Sequence, residues 1–141
     1  MKVEVWNWTK LKNLKMKKIA RDNRQITFFY NPESSIGKKA LAFLQESEVP
    51  TLTVDLLKNP PTPSQWIEIA NDLGMDISEL ILKDHPVFKK QYSSSNLDTN
   101  GWLKVMQQHP EVIDQPIAIR GDKVLLVKIP TDILQLLKAT I

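Results

Sequence analysis

The segment Asn31–Lys38, NPESSIGK, carries the residues of this chain that are best placed for chemistry. It follows the run Ile26–Tyr30, whose β-branched and aromatic residues are typical of a buried strand. The Asn-Pro pair favours a turn, and either of the two adjacent serines is typical of a helix N-cap. A helix N-terminus presents free backbone N–H groups and a partial positive charge, which favour an anion. The candidate ligand-binding residues on this segment are Asn31, Ser34, Ser35 and Lys38.

Catalysis by these residues is not indicated. A serine hydroxyl is a poor nucleophile unless a base lies within hydrogen-bond reach, and no residue near Ser34 in sequence is a clear base. The purely structural interpretation is that Ser34 is a helix N-cap, which stabilises the fold by about 1 kcal/mol. We therefore predict no catalytic residue.

Cysteine and histidine usage excludes several further sites. The chain has no cysteine, so it has no disulfide, no thiolate nucleophile and no Cys-ligated zinc. Its two histidines, His85 and His109, are each followed by proline and share no metal-ligand spacing. We expect both at helix ends, and we predict no metal site.

A strand–helix–strand unit positions the Asn31–Lys38 segment. The sequence GKKALAFLQES places Ala40, Phe43 and Leu44 on one face of a helix, and Thr51–Leu57 is a second apolar run typical of a strand. Two strands joined in this way form a parallel pair with a right-handed crossover.

Several short helices are predicted next. The first, SQWIEIANDLG, has Thr62 or Ser64 as its cap and ends at Gly74. Short helical segments are predicted over Asp76–Leu82 and 86–92, a polar loop over Ser93–Asn96, and a helix GWLKVMQQH capped by Asp98 or Thr99. The predicted core face of the first helix is Ile67, Ile69, Ala70 and Leu73.

The last third returns to strands. Pro116–Arg120 and Val124–Lys128 flank Gly121-Asp122-Lys123, which predicts an antiparallel hairpin. A closing helix, TDILQLLKAT, is predicted with Thr131 as its cap. The predicted fold class is therefore α/β, with a mixed four-stranded sheet (β-α-β, then β-β-α) and a helical insertion between strands 2 and 3.

Charge divides the chain into two parts. Residues 1–25 hold eight basic and two acidic residues, whereas residues 26–141 hold eleven basic and fourteen acidic ones. The body is mildly acidic, which argues against it as a general nucleic-acid binder, since such binding needs many phosphate contacts. No apolar run reaches the roughly 20 residues of a membrane helix.

The basic segment 1–25 is predicted to be an extension of a domain that spans residues 26–141. Its apolar residues recur at roughly helical spacing, which is consistent with an amphipathic helix that touches an acidic membrane surface or partner. Alternatively, it is a frayed tail, or the natural chain starts at Met16. We favour the last two interpretations. The first residues lack the apolar block of a signal peptide, so a cytoplasmic location is the default expectation.

The order of elements is a thioredoxin-like plan, and from about Ile26 to Leu137 the chain resembles the arsenate reductase (ArsC) family, which includes the Spx regulators. The resemblance rests on the order and spacing of four landmarks. These are Asn31-Pro32-Glu33-Ser34, Leu57-Lys58-Asn59-Pro60-Pro61-Thr62, Gln115-Pro116-Ile117-Ala118-Ile119 with Gly121-Asp122, and Pro130 before the last helix.

The resemblance implies a site whose reactive groups are missing here. The family pattern Asn-Pro-x-Cys has its nucleophile where this chain has Ser34. The family's Arg before Pro-Ile-Val is Gln115, and a second Arg, after Pro-Pro-Thr, is Pro63. Pro116 matches the cis-proline of thioredoxin-like folds. Gln115 and Pro116 therefore join the ligand-binding candidates.

The resemblance and these departures lead to one main expectation. We expect a redox-inactive, arsenate-reductase-like protein that binds a partner protein or a small anionic or thiol ligand at Asn31–Lys38. The resemblance implies no cofactor, with glutathione as the ligand to consider. The alternatives are a transferase or reductase that uses a thiol carried by its substrate, such as glutathione, and an Spx-like regulator.

Overall fold

The computed structural model describes residues 22–92 and 97–138. They form one four-stranded sheet with the strand order β2-β1-β3-β4. Strand β1 is parallel to β2 and antiparallel to β3, and β3 is antiparallel to β4. The strands are β1 (Ile26–Tyr30), β2 (Thr51–Asp55), β3 (Ile117–Arg120) and β4 (Lys123–Leu126).

The helices lie in the connections between the strands and after the last strand. Helix α1 joins the two parallel strands, and the remaining helices lie between β2 and β3 or after β4, with short 3-10 turns at Ile77–Leu80, Pro110–Val112 and Pro130–Ile133. The predicted fold, including the helical insertion, is confirmed. The helices are α1 (Ser35–Glu46), α2 (Pro63–Leu73), α3 (Pro86–Tyr92), α4 (Thr99–Gln108) and α5 (Leu134–Leu137).

Two hydrophobic clusters cover the two faces of the sheet. Successive residues of a strand face opposite sides, so Ile26 and Phe28 belong to the cluster that includes residues of α1 and the C-terminal elements. Phe29 belongs to the cluster that includes residues of α2, α3 and α4. The core on the α2 side is the larger of the two, and Trp66 is fully buried in it.

The predicted core face of α2 is partly wrong. Ile67 is 41% exposed, whereas Trp66 is fully buried. Trp66 precedes Ile69, Ala70 and Leu73 by three, four and seven positions, which is the spacing of a single helix face. The tryptophan therefore takes the position that the sequence assigned to Ile67.

Two smaller predictions are also wrong. The helix predicted over Asp76–Leu82 is a 3-10 turn, because Ile81 leaves it to form a β-bridge with Ile113. Thr131 does not cap the closing helix, since it lies inside the 3-10 turn Pro130–Ile133 that leads into α5. The Asp132 carboxylate instead accepts hydrogen bonds from the backbone N–H groups of Lys128 and Ile129.

Some predictions lie outside the described residues. They are the interpretations of the basic segment up to residue 21, the polar loop Ser93–Asn96 and the end of the closing helix. Within the described ranges, no helix is long and apolar enough to cross a membrane.

Candidate functional site

Ser34 is the N-cap of α1, as the sequence predicts. Its backbone is extended (φ −80°, ψ 131°), and its Oγ accepts a hydrogen bond of 3.1 Å from the backbone N–H of Gly37. Asn31 shapes the turn before it, since its carbonyl oxygen accepts from the Ser34 N–H at 2.9 Å and its Oδ1 accepts from the Glu33 N–H at 2.9 Å. The turn is thus held by its own polar side chains.

Gln115 reaches this turn from the other end of the chain. The backbone N–H of Asn31 donates to Gln115 Oε1 at 3.2 Å across 84 positions of sequence. The Gln115–Pro116 peptide bond is cis, as the resemblance implies, and the Pro116 carbonyl oxygen accepts from the Val127 N–H at 2.8 Å. The structure therefore brings Gln115 and Pro116 together with the Asn31–Ser34 turn.

Close packing at Gly37 fixes α1 against the same groups. A Cβ at this position would lie 3.2 Å from the Asn31 carbonyl oxygen, 3.2 Å from Tyr30 Cδ2 and 3.4 Å from Gln115 Oε1. Glycine lets the first turn of the helix approach the strand end this closely. Gly37 lies within the predicted Asn31–Lys38 segment but is not among the candidate residues that the sequence suggests.

Two backbone donors of this first turn remain available to a ligand. Among the described residues, the N–H groups of Ser35 and Ile36 donate no hydrogen bond. The side chains of Ser35 and Lys38 are exposed beside them, as is that of Glu33. The arrangement provides two amides, a hydroxyl and a cation for an anion, with one carboxylate on the turn as the opposing charge.

Among residues 22–92 and 97–138, no His, Asp or Glu side chain forms a hydrogen bond with the Ser34 hydroxyl. Within the described ranges, the hydrogen bond assigned to its side chain is the one from Gly37, and no group of three or more His, Asp or Glu side chains could hold a metal ion. Both histidines lie in the helical insertion at helix ends, as predicted. His85 Nδ1 accepts from the Val87 N–H at the start of α3, and His109 follows the last residue of α4.

The arginine on β3 does not replace the missing family arginines. Arg120 is 8% exposed and is the last residue of β3, at the far end of the strand from Pro116. Its Nε and Nη1 donate to the carbonyl oxygens of Asn23 and Leu136, each at 2.7 Å. Pro63 is the exposed first residue of α2 and has no polar side-chain group to offer.

Curated proteins with a similar sequence are arsenate reductases. The chain is 29% identical over 101 residues to the arsenate reductase of Neisseria meningitidis serogroup A, which covers 70% of this chain and 86% of the relative. It is 25% identical over 114 residues to the arsenate reductase of Haemophilus influenzae, covering 79% and 98% of the two chains. No protein-family model matches the chain.

Solved structures show the same fold. The arsenate reductase from Vibrio cholerae superposes with a TM-score of 0.72 at 18% identity, covering 80% of this chain and 98% of the other. The arsenate reductase (ArsC) related protein from Brucella melitensis gives a TM-score of 0.60 at 17% identity, covering 77% and 90%. The predicted resemblance and the predicted thioredoxin-like fold are both confirmed.

Proposed function

Because this chain is an arsenate-reductase-like protein in sequence and fold, we propose that it binds a small anionic ligand at the N-terminus of α1 and does not reduce it. The relatives are named for the reduction of an oxyanion, arsenate. This chain keeps the corresponding turn but has no cysteine, and oxygen cannot cycle through thiol and disulfide states. Binding without redox turnover is the part of that activity which the residues present can support.

The observation that supports the proposal is the pair of Ser35 and Ile36 amides, which donate no hydrogen bond to any residue that the structure describes. The Ser34 cap, the Asn31 turn and the contact with Gln115 hold these amides in one orientation. A preorganised pair of donors loses little conformational entropy on binding. The exposed Lys38 in the same turn favours negative charge on the ligand.

Glutathione is the thiol ligand that we propose to test beside the simple oxyanions. It carries carboxylates that the amides and Lys38 can bind. It also brings its own thiol, a group that this chain lacks. Arsenate and phosphate test whether an oxyanion alone is enough. A ligand that binds only the folded state raises the melting temperature by mass action.

The test measures melting temperature and binding heat with arsenate, phosphate and glutathione. We expect a shift at millimolar concentration with at least one of them, and we expect Ser34→Ala and Lys38→Gln to reduce it. Thr62→Ala is the matched control for the first variant, because Thr62 Oγ1 also caps a helix, at 3.2 Å from the Gln65 nitrogen. Lys39→Gln is the control for the second, since Lys39 is the exposed neighbour.

Two outcomes would contradict the proposal. The absence of any shift in melting temperature at millimolar ligand would contradict the proposed binding site. Clear arsenate turnover with glutathione, glutaredoxin or thioredoxin as the electron donor would contradict the proposal that the protein does not reduce its ligand.

A further inference from the structure

A groove of about 300 Å³ lies where the end of α2, the first part of β4 and helix α5 meet. Strand β4 is an edge of the sheet, because it pairs with β3 and no strand of the described residues pairs with its other side. The half-buried side chains of Val124 and Leu125 line the groove on the strand. Its volume is at the lower end of the range of small-ligand sites, and a few side chains of a peptide would fill it.

The charged residues at this groove are mainly acidic. Among the described residues that line it, the charged ones are Asp72, Asp122 and Lys123, and all three are exposed. Glu68 lies four positions before Asp72 on the same side of α2 and is 9% exposed. Within the described residues, the groove and the adjoining turn of α2 therefore carry three carboxylates and one cation. Such a surface favours a cationic occupant and disfavours an anion.

The part of the chain that the structure describes begins beside this groove. A Cβ on Gly121 would lie 3.0 Å from Asn23 Cβ, so Asn23 packs against the hairpin turn that carries Asp122. The 2.7 Å bond from Arg120 Nε to the Asn23 carbonyl oxygen holds the backbone at this place. Residues 1–21, which the structure does not describe, therefore join the described chain close to the groove.

The charge of residues 1–21 is opposite to that of the groove. They include seven basic residues and one acidic residue. The last six, residues 16–21, contain no acidic residue and three basic ones, which are Lys17, Lys18 and Arg21. Six residues can span up to about 20 Å when extended, whereas Glu68 and Asp72 are separated by a rise of only about 6 Å along α2. Residues 16–21 are therefore long enough to pass the carboxylates of the groove.

We propose that residues 16–21 bind in this groove of their own chain, with their cations next to the carboxylates of Asp72, Asp122 and Glu68. The segment is tethered beside the groove, so its effective concentration there is on the order of millimolar. This tether favours it over a free cationic peptide and over the same segment of a second copy. Exposed ion pairs are weak and are screened by salt, so the bound segment is released as ionic strength rises.

The groove and the proposed ligand site lie at opposite ends of the sheet. Arg120, which precedes the hairpin turn at the groove, pairs with Ile26 at the start of β1. Ile117 pairs with Phe29, close to the Asn31–Lys38 segment at the end of β1. The bound segment therefore leaves the N-terminus of α1 open, and its basic charge is neutralised within its own chain.

Limited trypsin digestion of the full-length protein tests this contact, because trypsin cleaves after lysine and arginine and residues 16–21 contain three such sites. A bound segment must leave the groove before it is cleaved, so the cleavage rate follows the released fraction. We expect the double variant Asp72→Asn/Asp122→Asn to raise the cleavage rate at these sites at least about fivefold. The double variant Glu46→Gln/Glu48→Gln is the matched control. It also removes two exposed carboxylates, at the end of α1, and should leave the rate unchanged.

Nuclear magnetic resonance of the full-length protein supplies the second measurement. Lys17→Gln/Lys18→Gln should shift the backbone amide signals of Asp72 and of residues 122–125, because it removes two charges from the groove. Lys89→Gln/Lys90→Gln is the control, since these lysines are exposed on α3, and it should leave the groove signals in place.

Three results would overturn the proposal. One is an equal cleavage rate in the natural protein and in Asp72→Asn/Asp122→Asn. Another is the absence of any groove signal that responds to Lys17→Gln/Lys18→Gln. The third is protection from trypsin that appears only as the protein concentration rises and is accompanied by a dimer in sedimentation, because the occupant would then be the segment of a second copy.

Discussion

Ser34 occupies a position where small chemical differences decide what the site can do. Its hydroxyl oxygen accepts the Gly37 N–H and so completes the helix cap. A thiolate in this position would accept the same hydrogen bond and feel the same partial charge, but would in addition be a nucleophile. The local pattern Asn-Pro-x-Ser was enough to predict the cap. The bond from Asn31 to Gln115 could not be predicted, because it depends on a side-chain orientation set by the fold 84 positions away.

We expect Ser34→Cys to acquire a thiol whose pKa lies at least about one unit below the ordinary value of about 8.5, because the helix N-terminus stabilises the thiolate. The rate of alkylation by iodoacetamide as a function of pH measures it. Ser47→Cys is the control, since Ser47 caps the C-terminal end of the same helix, where the dipole has the opposite sign. Equal pKa values for the two thiols would contradict the prediction. Arsenate turnover should remain absent in Ser34→Cys, because Gln115 cannot replace a guanidinium.

At the scale of elements, hydrophobic periodicity predicted most of the helices and strands. It was wrong about the buried face of α2, where apolar residues define more than one possible face. In α2 the apolar residues Trp66, Ile67, Ile69 and Ala70 are too dense for one stripe, and the periodic pattern alone does not say which of them faces water. The structure buries the largest of them, because the tryptophan fills the core between the sheet and the helical insertion. The 3-10 turn at Ile77–Leu80 was missed because the bridge from Ile81 to Ile113 is a long-range contact.

This arrangement of α2 predicts effects of very different size for two nearby isoleucines. Ile69→Ala should cost about 2–5 kcal/mol of unfolding free energy, because the side chain is fully buried and leaves a cavity. Ile67→Ala should cost much less, no more than about 1 kcal/mol, since Ile67 is 41% exposed and lies outside the buried core. Urea denaturation of the two variants measures both values. A larger loss for Ile67→Ala than for Ile69→Ala would mean that the helix faces the core with its other side.

At the scale of the whole molecule, Arg120 joins parts of the chain that are far apart in sequence. Its guanidinium group bonds the carbonyl oxygen of Asn23 before β1 and that of Leu136 in α5. The landmarks and the hairpin predicted β3 and β4 around it. They gave no indication of its buried position, because an arginine beside a turn is normally exposed.

Arg120→Met should lower the unfolding free energy by about 2–4 kcal/mol, because it removes charge-assisted hydrogen bonds and takes the Arg120 donor from the buried Leu136 carbonyl oxygen. Urea denaturation is the measurement. Arg24→Met is the control. Arg24 lowers the pKa of Asp22 through a side-chain hydrogen bond, but this pair lies in water, so its loss should leave the denaturation midpoint unchanged. Similar midpoints for the two variants would show that the Arg120 contacts do not hold the fold together.

The Arg120 contacts also bear on how this domain could be built into larger proteins. One guanidinium group reaches backbone atoms just before β1 and in the last helix α5, so the two ends of the range 22–138 lie close together. Domains with adjacent ends tolerate being placed inside a loop of a host protein, because the host's chain needs to open by only a short distance. Residues 22–138 are therefore suited to insertion into a host protein. Arg120 would hold the two ends of the inserted segment together through its bonds to Asn23 and Leu136.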